Sequence, residues 1–326
     1  MDQLMRNTSQ KKRSIATLIK NLFINNYALI PDPSKHQHKK KYLIINGDDL
    51  CKDENTNNSI VKAFRDGILT STSAFINLND SFRQIQKIHD ENPSLPIGLH
   101  LNMTLGKPVT NPLLIPHLTD KKGQFYTIDS IIKYLHSIPV EEVRKEMFAQ
   151  TEKFISSGIP LNHINYHHHL AALYTPFFKV VREIALEYKV PVRNPVPASI
   201  YNLIHLNGNG GGGSTGLKKL IQFAIIHPFK LLPILKQVKP MALAEQEILM
   251  VKEKIRSSDW FIDNFYSNES SNTMVSILEQ LPFGVSEIMC HPGNGKELEV
   301  LTDPIIKQTI RNQQIKLISW NQLTLI

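Results

Sequence analysis

Short apolar runs alternate with amphipathic segments along most of this 326-residue chain. Continuous apolar runs are typical of buried parallel strands, and apolar positions three and four apart are typical of helices. The pattern predicts strands at 42–46, within 68–78, and at 96–101, 163–169, 190–193, 285–290 and 315–320. It predicts helices at 58–65, 81–90, 140–156, 176–188 and 304–311. Seven or eight candidate strands alternating with helices predict an α/β fold, with a parallel sheet closed or nearly closed into a TIM-like (β/α) barrel.

Acidic and histidine residues stand at the ends of several predicted strands. Asp48 and Asp49 follow the first strand, His100 ends the third, and His167 and His291 lie at or beyond the ends of two later strands. The carboxyl ends of parallel strands meet at one edge of a barrel, where the active sites of this architecture lie. We therefore expect these five residues to share one site. Taken singly, the two aspartates could cap a turn, and His100 could be a hydrogen-bonded core histidine.

Three consecutive histidines, His167 to His169, end one predicted strand. Side chains alternate between the two faces of a strand, so His167 and His169 would share a face and His168 would point to the other. A solvated loop and a structural polar cluster are the alternatives, because a short histidine-rich tract is a compositional hint.

The formal net charge of +8 is concentrated in two segments. Residues 1–41 carry nine basic against two acidic residues, and 217–239 carry five lysines and no acid. The remainder of the chain therefore has a net charge of −4. A mildly acidic body, and a basic tail without interleaved aromatic residues, argue against a nucleic-acid partner.

The predicted domain organisation is a basic N-terminal extension over 1–41, flexible or folded as a surface helix, followed by a barrel over 42–326. The barrel carries an insertion at about 207–239, in which a glycine-rich loop precedes a basic apolar stretch. The loop lacks the Lys-Ser/Thr pair of a phosphate-binding loop, so disorder is expected, with a mobile lid as the alternative. Residues 15–30 and 217–239 are apolar and basic enough for peripheral membrane contact, although 217–239 could instead pack against the barrel.

Two cysteines, Cys51 and Cys290, form neither a disulfide framework nor a Cys-x-x-Cys zinc pattern. No run of eighteen apolar residues occurs, and 15–30 lacks a cleavage site of small residues after it. These features predict a cytoplasmic protein, with membrane association as the alternative. The sequence leaves the oligomeric state open, including a homo-oligomer.

One carboxylate and two imidazoles would leave a divalent ion with open coordination positions, which is the pattern of a catalytic site. Histidine-rich ligation suits Zn²⁺, whereas a carboxylate with water also suits Mg²⁺, Mn²⁺ or Co²⁺. The two carboxylates of an adjacent acid pair such as Asp48-Asp49 can have different roles, one binding the cation and the other acting as a base. The residues predict one divalent metal ion, Mg²⁺ or Zn²⁺, without choosing between them.

Six segments in order resemble the YdjC-like carbohydrate deacetylases, which include chito-oligosaccharide deacetylases and a hopanoid-biosynthesis branch. The matching positions are 43–49, 57, 67–73, 98–104, 163–169 and 287–293, within a resemblance over roughly 42–320. The resemblance implies a barrel of the glycoside hydrolase/deacetylase type with one divalent metal. It places the metal ligands at Asp49, His100 and His167, the general base at Asp48, and a catalytic acid or transition-state stabiliser at His291.

The resemblance also puts a family arginine near the site at Arg193, and we expect Arg193, Asn102 and His169 to contact the substrate. The chain departs from the family pattern at 50–54, where a Phe-Gly pair and a Ser-Pro-Gly turn are usual, and at 170–171, where valine and histidine are usual. Asn165 replaces a usual aspartate, which predicts weaker orientation of a neighbouring imidazole.

The expected function is metal-dependent N-deacetylation of an N-acetylated sugar, oligosaccharide or sugar-lipid, with release of acetate. The partner would then be a small-molecule carbohydrate. Two alternatives stay open: another metal-dependent hydrolase that cleaves an ester or a phosphate, and a membrane-surface or binding protein with a degenerate site.

Overall fold

The computed structural model describes residues 40–197, 240–266 and 268–326, except 242 and 324. Within these ranges, seven parallel strands form one sheet. They are β1 (Lys41–Leu50), β2 (Ser71–Ala74), β3 (Ile97–Leu101), β4 (Ile164–Tyr166), β5 (Trp260–Ile262), β6 (Gly284–Cys290) and β7 (Ile315–Leu317). The strands predicted at 42–46, 96–101 and 285–290 are confirmed with small changes of boundary, whereas β5 was not predicted.

Helices cover the sheet between the strands. They include α1 (Glu54–Arg65), α2 (Ser81–Glu91), α3 (Ile128–Ile131), α4 (Val140–Ile155), α5 (Thr175–Tyr188), α6 (Ser271–Glu279), α7 (Lys296–Thr302), α8 (Pro304–Asn312) and α9 (Trp320–Leu323). Short 3₁₀ helices occur at Pro112–Leu114, Leu135–Ser137, His167–Leu173 and Pro292–Asn294. The five helices predicted from the apolar periodicity all form.

The strands lie in the order β4-β3-β2-β1-β6-β5, with β7 also paired to β1, and the sheet curls into a half-barrel. Among the described residues, isolated bridges from Ile164 to Val192 and from Pro197 to Phe261 are the links between the two edges. The predicted strand at 190–193 therefore does not form, and the prediction of a closed TIM-like barrel is corrected to a half-barrel. Prolines at 191, 195 and 197 explain the difference, because each lacks the N–H group that a regular ladder needs.

Strand β1 is the centre of the sheet and is buried on both faces. Ile44 packs with Val285 and Trp320 on one face, while Leu43 and Ile45 belong to the main core on the other. Burial on both faces explains why this strand reads as a continuous apolar run rather than an alternating one.

A long excursion connects β3 to α4 across 102–139, and buried acids of α4 hold it in place. Glu146 accepts hydrogen bonds from the backbone N–H groups of Val109 (2.9 Å) and Thr110 (2.8 Å). Glu142 accepts one from the backbone of His117 at 2.9 Å. The carboxylates satisfy backbone donors that have no strand or helix partner, so the excursion is ordered beside the sheet.

The segments predicted to contact membranes, 15–30 and 217–239, lie outside the described residues, as does the glycine-rich loop. Most of the predicted N-terminal extension lies outside them too. Within the described ranges, no helix combines the length and the apolar character that crossing a bilayer requires. Cys51 and Cys290 are both buried free thiols.

Replacement of Gly98 by alanine should destabilise the fold by about 1–3 kcal/mol, as overpacking of a tight core does. An added Cβ would lie 2.4 Å from the His163 ring, which is itself stacked on Trp320 at 4.9 Å between centroids. Urea unfolding measures the effect. In a His163→Ala background the same substitution should cost clearly less, and an equal cost in both backgrounds would contradict the steric explanation.

Candidate metal centre

An open cavity of about 690 Å³ lies at the carboxyl ends of the strands. Its walls combine acidic, histidine and aromatic side chains from β1, β3, β4 and β6 and from the loops that follow these strands and β5. They include Asp48, Asp49, Lys52, His100, Leu105, Tyr166, His167, His168, His169, Asp263, Tyr266, Met289 and His291. The five strand-end residues predicted to share one site therefore line one cavity, as the parallel topology requires.

Asp49, His100 and His167 converge at the base of this cavity. The Oδ1 atom of Asp49 lies 3.3 Å from Nε2 of His100 and 3.4 Å from Nδ1 of His167, and the two nitrogens are 3.1 Å apart. One potential ligand atom from each residue lies within 4.8 Å of the others, and all three residues are buried. Among the described residues, this is the group of acidic, histidine or cysteine side chains arranged to hold a metal ion.

The donor set fits a divalent cation. Oδ1 of Asp49 is buried and has no hydrogen-bond partner among the described residues, whereas Oδ2 accepts a hydrogen bond from Nζ of Lys52 at 3.0 Å. An unpaired buried carboxylate oxygen beside two imidazole nitrogens is costly, and a cation would satisfy all three atoms. The site is compatible with Mg²⁺ or Zn²⁺ and does not select one.

A strained turn at the end of β1 directs Asp49 into the cavity. Asp49 and Cys51 both have left-handed backbones, with φ of 72° and 70°, a conformation that non-glycine residues adopt at a cost. The N–H of Lys52 donates to the carbonyl of Asp49 at 3.1 Å, and the N–H of Cys51 donates to Oδ1 of Asn57 at 2.7 Å. This turn is built from the segment that departs from the family pattern, and it still places Asp49 at the cation site.

Asn165 orients His100 from behind the cation site. Its Oδ1 lies 2.6 Å from Nδ1 of His100, while its Nδ2 donates to Asp48 (3.1 Å) and Ser73 (2.8 Å). The amide oxygen therefore accepts from Nδ1–H of His100, which leaves the Nε2 lone pair facing Asp49. The amide oxygen thus takes the acceptor position beside His100, and weaker orientation of this imidazole than an aspartate would give stays a prediction.

The pKa values of the two candidate histidine ligands shift in opposite directions. Burial works to lower the pKa of His100, but the charges of Asp48 and Asp49 outweigh it and raise that pKa above its usual value. Burial lowers the pKa of His167. Protons therefore compete with a cation at His100 more than at His167.

The triple histidine forms a turn, because strand β4 ends at Tyr166. His168 and His169 have left-handed backbones, with φ of 55° and 53°. The expected alternation, with His167 and His169 on one face of a strand, is therefore wrong. His167 reaches the cation site, the Nδ1 atom of His168 lies 3.0 Å from Oγ1 of Thr104, and His169 packs against Phe261 at 5.3 Å between ring centroids.

Asp48 is held by a buried arginine beneath the cavity. Nη1 of Arg193 donates to Oδ2 at 2.6 Å, Nη2 donates to Oδ1 at 2.8 Å, and Asn46 donates to Oδ1 at 2.7 Å. Burial works to raise the pKa of Asp48, but the charge and hydrogen bonds of Arg193 outweigh it and hold that pKa well below its usual range. Asp48 is therefore ionised at neutral pH.

Glu287 completes a buried ion triad that sequence reasoning did not assign. Arg193 donates to its Oε1 from Nε (2.9 Å) and from Nη2 (2.6 Å). Burial raises the pKa of Glu287 to about 7, although Arg193 opposes the rise. The sequence signal is an acidic residue in the middle of a mostly apolar strand, which indicates a buried partner.

His291 lies at the end of β6 on the wall of the cavity. Its backbone N–H donates to Glu297, and Tyr266 lies beside its ring at 5.0 Å between centroids. The Nδ1 atom is buried and has no hydrogen-bond partner among the described residues. Burial lowers the pKa of His291, so a neutral imidazole faces the cavity at neutral pH.

The three residues predicted to contact a substrate occupy different places. Arg193 is fully buried beneath Asp48, and Asn102 is buried, where it accepts hydrogen bonds from the backbone of Thr104 and Leu105. His169 lines the cavity, and burial lowers its pKa to about 3. Among these contacts, Arg193 positions Asp48, and Asn102 positions the backbone of the loop after β3. Substrate contact stays a prediction for all three residues.

Comparisons with known proteins agree with this architecture. The family described as YdjC-like protein matches residues 42–312. A carbohydrate deacetylase of Brevibacillus brevis is 28% identical over 298 residues, covering 86% of this chain and 99% of that protein. A chitooligosaccharide deacetylase of Yersinia enterocolitica is 26% identical over 303 residues, covering 86% of this chain and 99% of that protein.

One solved structure has a closely similar fold. It is a protein of Enterococcus faecalis V583 provisionally assigned to cellobiose-phosphate cleavage, with a TM-score of 0.66 and 24% identity. The match covers 87% of this chain and 99% of that one. At this level of identity the likeness concerns the fold.

Proposed function

The chain belongs to the YdjC-like protein family, and from this premise we propose that it is a divalent-metal-dependent hydrolase that removes the acetyl group from an N-acetylated sugar, sugar oligomer or sugar-lipid. The observation that carries the proposal is the convergence of Asp49, His100 and His167 beside Asp48 in one open cavity. The names of the relatives, carbohydrate and chitooligosaccharide deacetylase, support the substrate class.

Asp49, His100 and His167 would hold the metal ion. When bound there, a divalent cation supplies a Lewis acid that polarises an amide carbonyl and lowers the pKa of water. The ion pair of Asp49 with Lys52 occupies Oδ2 and directs Oδ1 toward the two imidazoles. The chain therefore presents one carboxylate oxygen and two imidazole nitrogens, and leaves the remaining side of the site open to the cavity.

Asp48 is proposed as the general base. Its carboxylate is held ionised by Arg193, and it stands next to Asp49 in the chain and on the cavity wall. It would accept a proton from the water that attacks the acetamide carbon. The rigid, buried support fixes the direction of the carboxylate, which matters because proton transfer requires hydrogen-bond geometry.

His291 is proposed to protonate the departing amine. Its ring carries an unpaired buried nitrogen, and its backbone N–H is anchored by Glu297. The imidazole is neutral in the free site, so it would act as the acid once it has gained a proton, donating that proton to the sugar nitrogen as the C–N bond breaks. Its N–H can also donate to the oxygen that gains negative charge. Water adds to the acetyl carbon, and the products are acetate and the free amine.

Replacing Asp48 with asparagine should lower acetate release by about two or more orders of magnitude, while metal content stays near that of the unaltered protein. The amide keeps the size of the side chain but cannot accept the proton. Acetate release from N-acetylglucosamine oligomers and elemental analysis of the purified protein measure the two quantities.

Glu287→Gln is the matched control for Asp48→Asn. It removes the other carboxylate partner of Arg193, and Glu287 is fully buried and is not among the residues that line the cavity. Its effect on turnover should be several-fold at most. A fully active Asp48→Asn protein, or an equal loss in both variants, would contradict the assignment of the base.

The substrate class is tested by a panel. Acetate release from N-acetylated sugars and amino-sugar lipids is compared with the hydrolysis of generic esters and phosphates, at matched concentrations and with Mg²⁺ or Zn²⁺ added. Turnover confined to the acetamides supports the proposal. Turnover confined to esters or phosphates favours another metal-dependent hydrolase, and purified protein that binds neither metal favours a degenerate site.

A further inference from the structure

We propose that Asn165 is a positioning residue that couples the metal ligand His100 to the general base Asp48. The inference rests on the proposed function and deepens it, because it concerns the same site. Asn165 lies on β4 and is fully buried, and its side chain contacts both His100 on β3 and Asp48 on β1.

The orientation of the Asn165 amide follows from its partners. Oδ1 of Asp48 accepts hydrogen bonds and donates none, so the group 3.1 Å from it must be the NH₂ end of the amide. The carbonyl end then faces Nδ1 of His100 at 2.6 Å. Each end of one side chain therefore acts on a different catalytic residue.

The two ends perform separable tasks. The carbonyl oxygen keeps the proton of His100 on Nδ1, so that the Nε2 lone pair faces Asp49. The amide N–H steadies the Asp48 carboxylate together with Arg193. Asn165→Asp retains an acceptor for His100 and removes the donor to Asp48, whereas Asn165→Leu removes both.

The experiment compares these two variants in the full chain. Metal affinity is measured by titrating Zn²⁺ into the metal-free protein with a competing chelator, and kcat and KM are measured by acetate release. For Asn165→Asp we expect Zn²⁺ affinity to change less than about threefold and kcat to fall about tenfold or more at nearly constant KM. For Asn165→Leu we expect Zn²⁺ affinity to weaken by about 10- to 100-fold as well.

Asn92 offers a matched control, because it is also a buried asparagine, at the end of α2, bonded to Arg65 and to the carbonyl of Ile88. Asn92→Asp and Asn92→Leu should lower the melting temperature without separating kcat from Zn²⁺ affinity. Full kcat in Asn165→Asp, or parallel losses of stability, affinity and kcat in both Asn165 variants, would overturn the proposal. If no acetamide is hydrolysed by the unaltered protein, the proposed function fails, and Zn²⁺ affinity still tests the link to His100.

Discussion

Replacing His100 with alanine should strip the protein of its divalent metal and lower acetate release by about three or more orders of magnitude. The imidazole provides one of three atoms that converge on the cation site, 3.3 Å from Asp49 and 3.1 Å from His167. Removing it leaves a two-ligand site, and the Lewis acid that the proposed reaction needs is lost. Elemental analysis of the purified protein and acetate release from N-acetylglucosamine oligomers measure the two effects.

His168→Ala is the matched control for the loss of a ligand. His168 belongs to the same cavity, its ring lies 3.8 Å from that of His167, and its Nδ1 faces Thr104 rather than the cation site. We expect this variant to retain its metal, whatever its effect on KM. If His168→Ala lost the metal and His100→Ala kept it, the proposed ligand set would be wrong.

The convergence of the site could be predicted from sequence because it depends on topology alone. Asp48, Asp49, His100, His167 and His291 stand near the ends of apolar runs, and parallel strands bring their carboxyl ends to one edge. This convergence requires neither exact strand lengths nor particular side-chain packing. It is therefore independent of barrel closure, which was predicted wrongly. Closure would require a regular strand at 190–197, where three prolines prevent one.

The details around the ligands could not be predicted in the same way. The division of roles among the three histidines assumed strand alternation, and a left-handed backbone at His168 and His169 replaces it. Such a conformation is stabilised by surrounding contacts and has no simple sequence signal in histidine. Likewise, the effect of Asn165 depends on which end of its amide meets His100, and only spatial neighbours determine that.

The support beneath the site depends on pairs that are distant in sequence. Arg193 and Asp48 are 145 positions apart, and Arg193 and Glu287 are 94 apart. All three charged residues are buried, and a buried charge requires a partner that the sequence does not identify. Strand neighbours β1 and β6 bring the two carboxylates together, and the irregular segment at 190–197 brings the arginine between them.

Arg193→Met should destabilise the folded chain by about 3–5 kcal/mol and abolish turnover, since it leaves two buried carboxylates without their cation. The guanidinium is fully buried, bonds both Asp48 and Glu287, and lies 4.8 Å above the ring of Phe261. Urea unfolding measures the loss of stability. Arg193→Lys keeps the charge but cannot bond both carboxylates as the planar fork does, so its loss should be intermediate.

Two further measurements separate uncompensated charge from lost packing in Arg193→Met. Adding Glu287→Gln removes one of the carboxylates left without a cation and should recover part of the stability.

Lowering the pH should also reduce the loss of stability, because burial without a cation raises the folded-state pKa of both carboxylates above their unfolded values. The folded state then binds more protons, and its stability is lost as the pH rises through those raised pKa values. The deficit relative to the unaltered protein should therefore be smaller at pH 5 than at pH 8. A deficit independent of pH and of Glu287 would mean that the arginine acts through its volume and its contact with Phe261 instead.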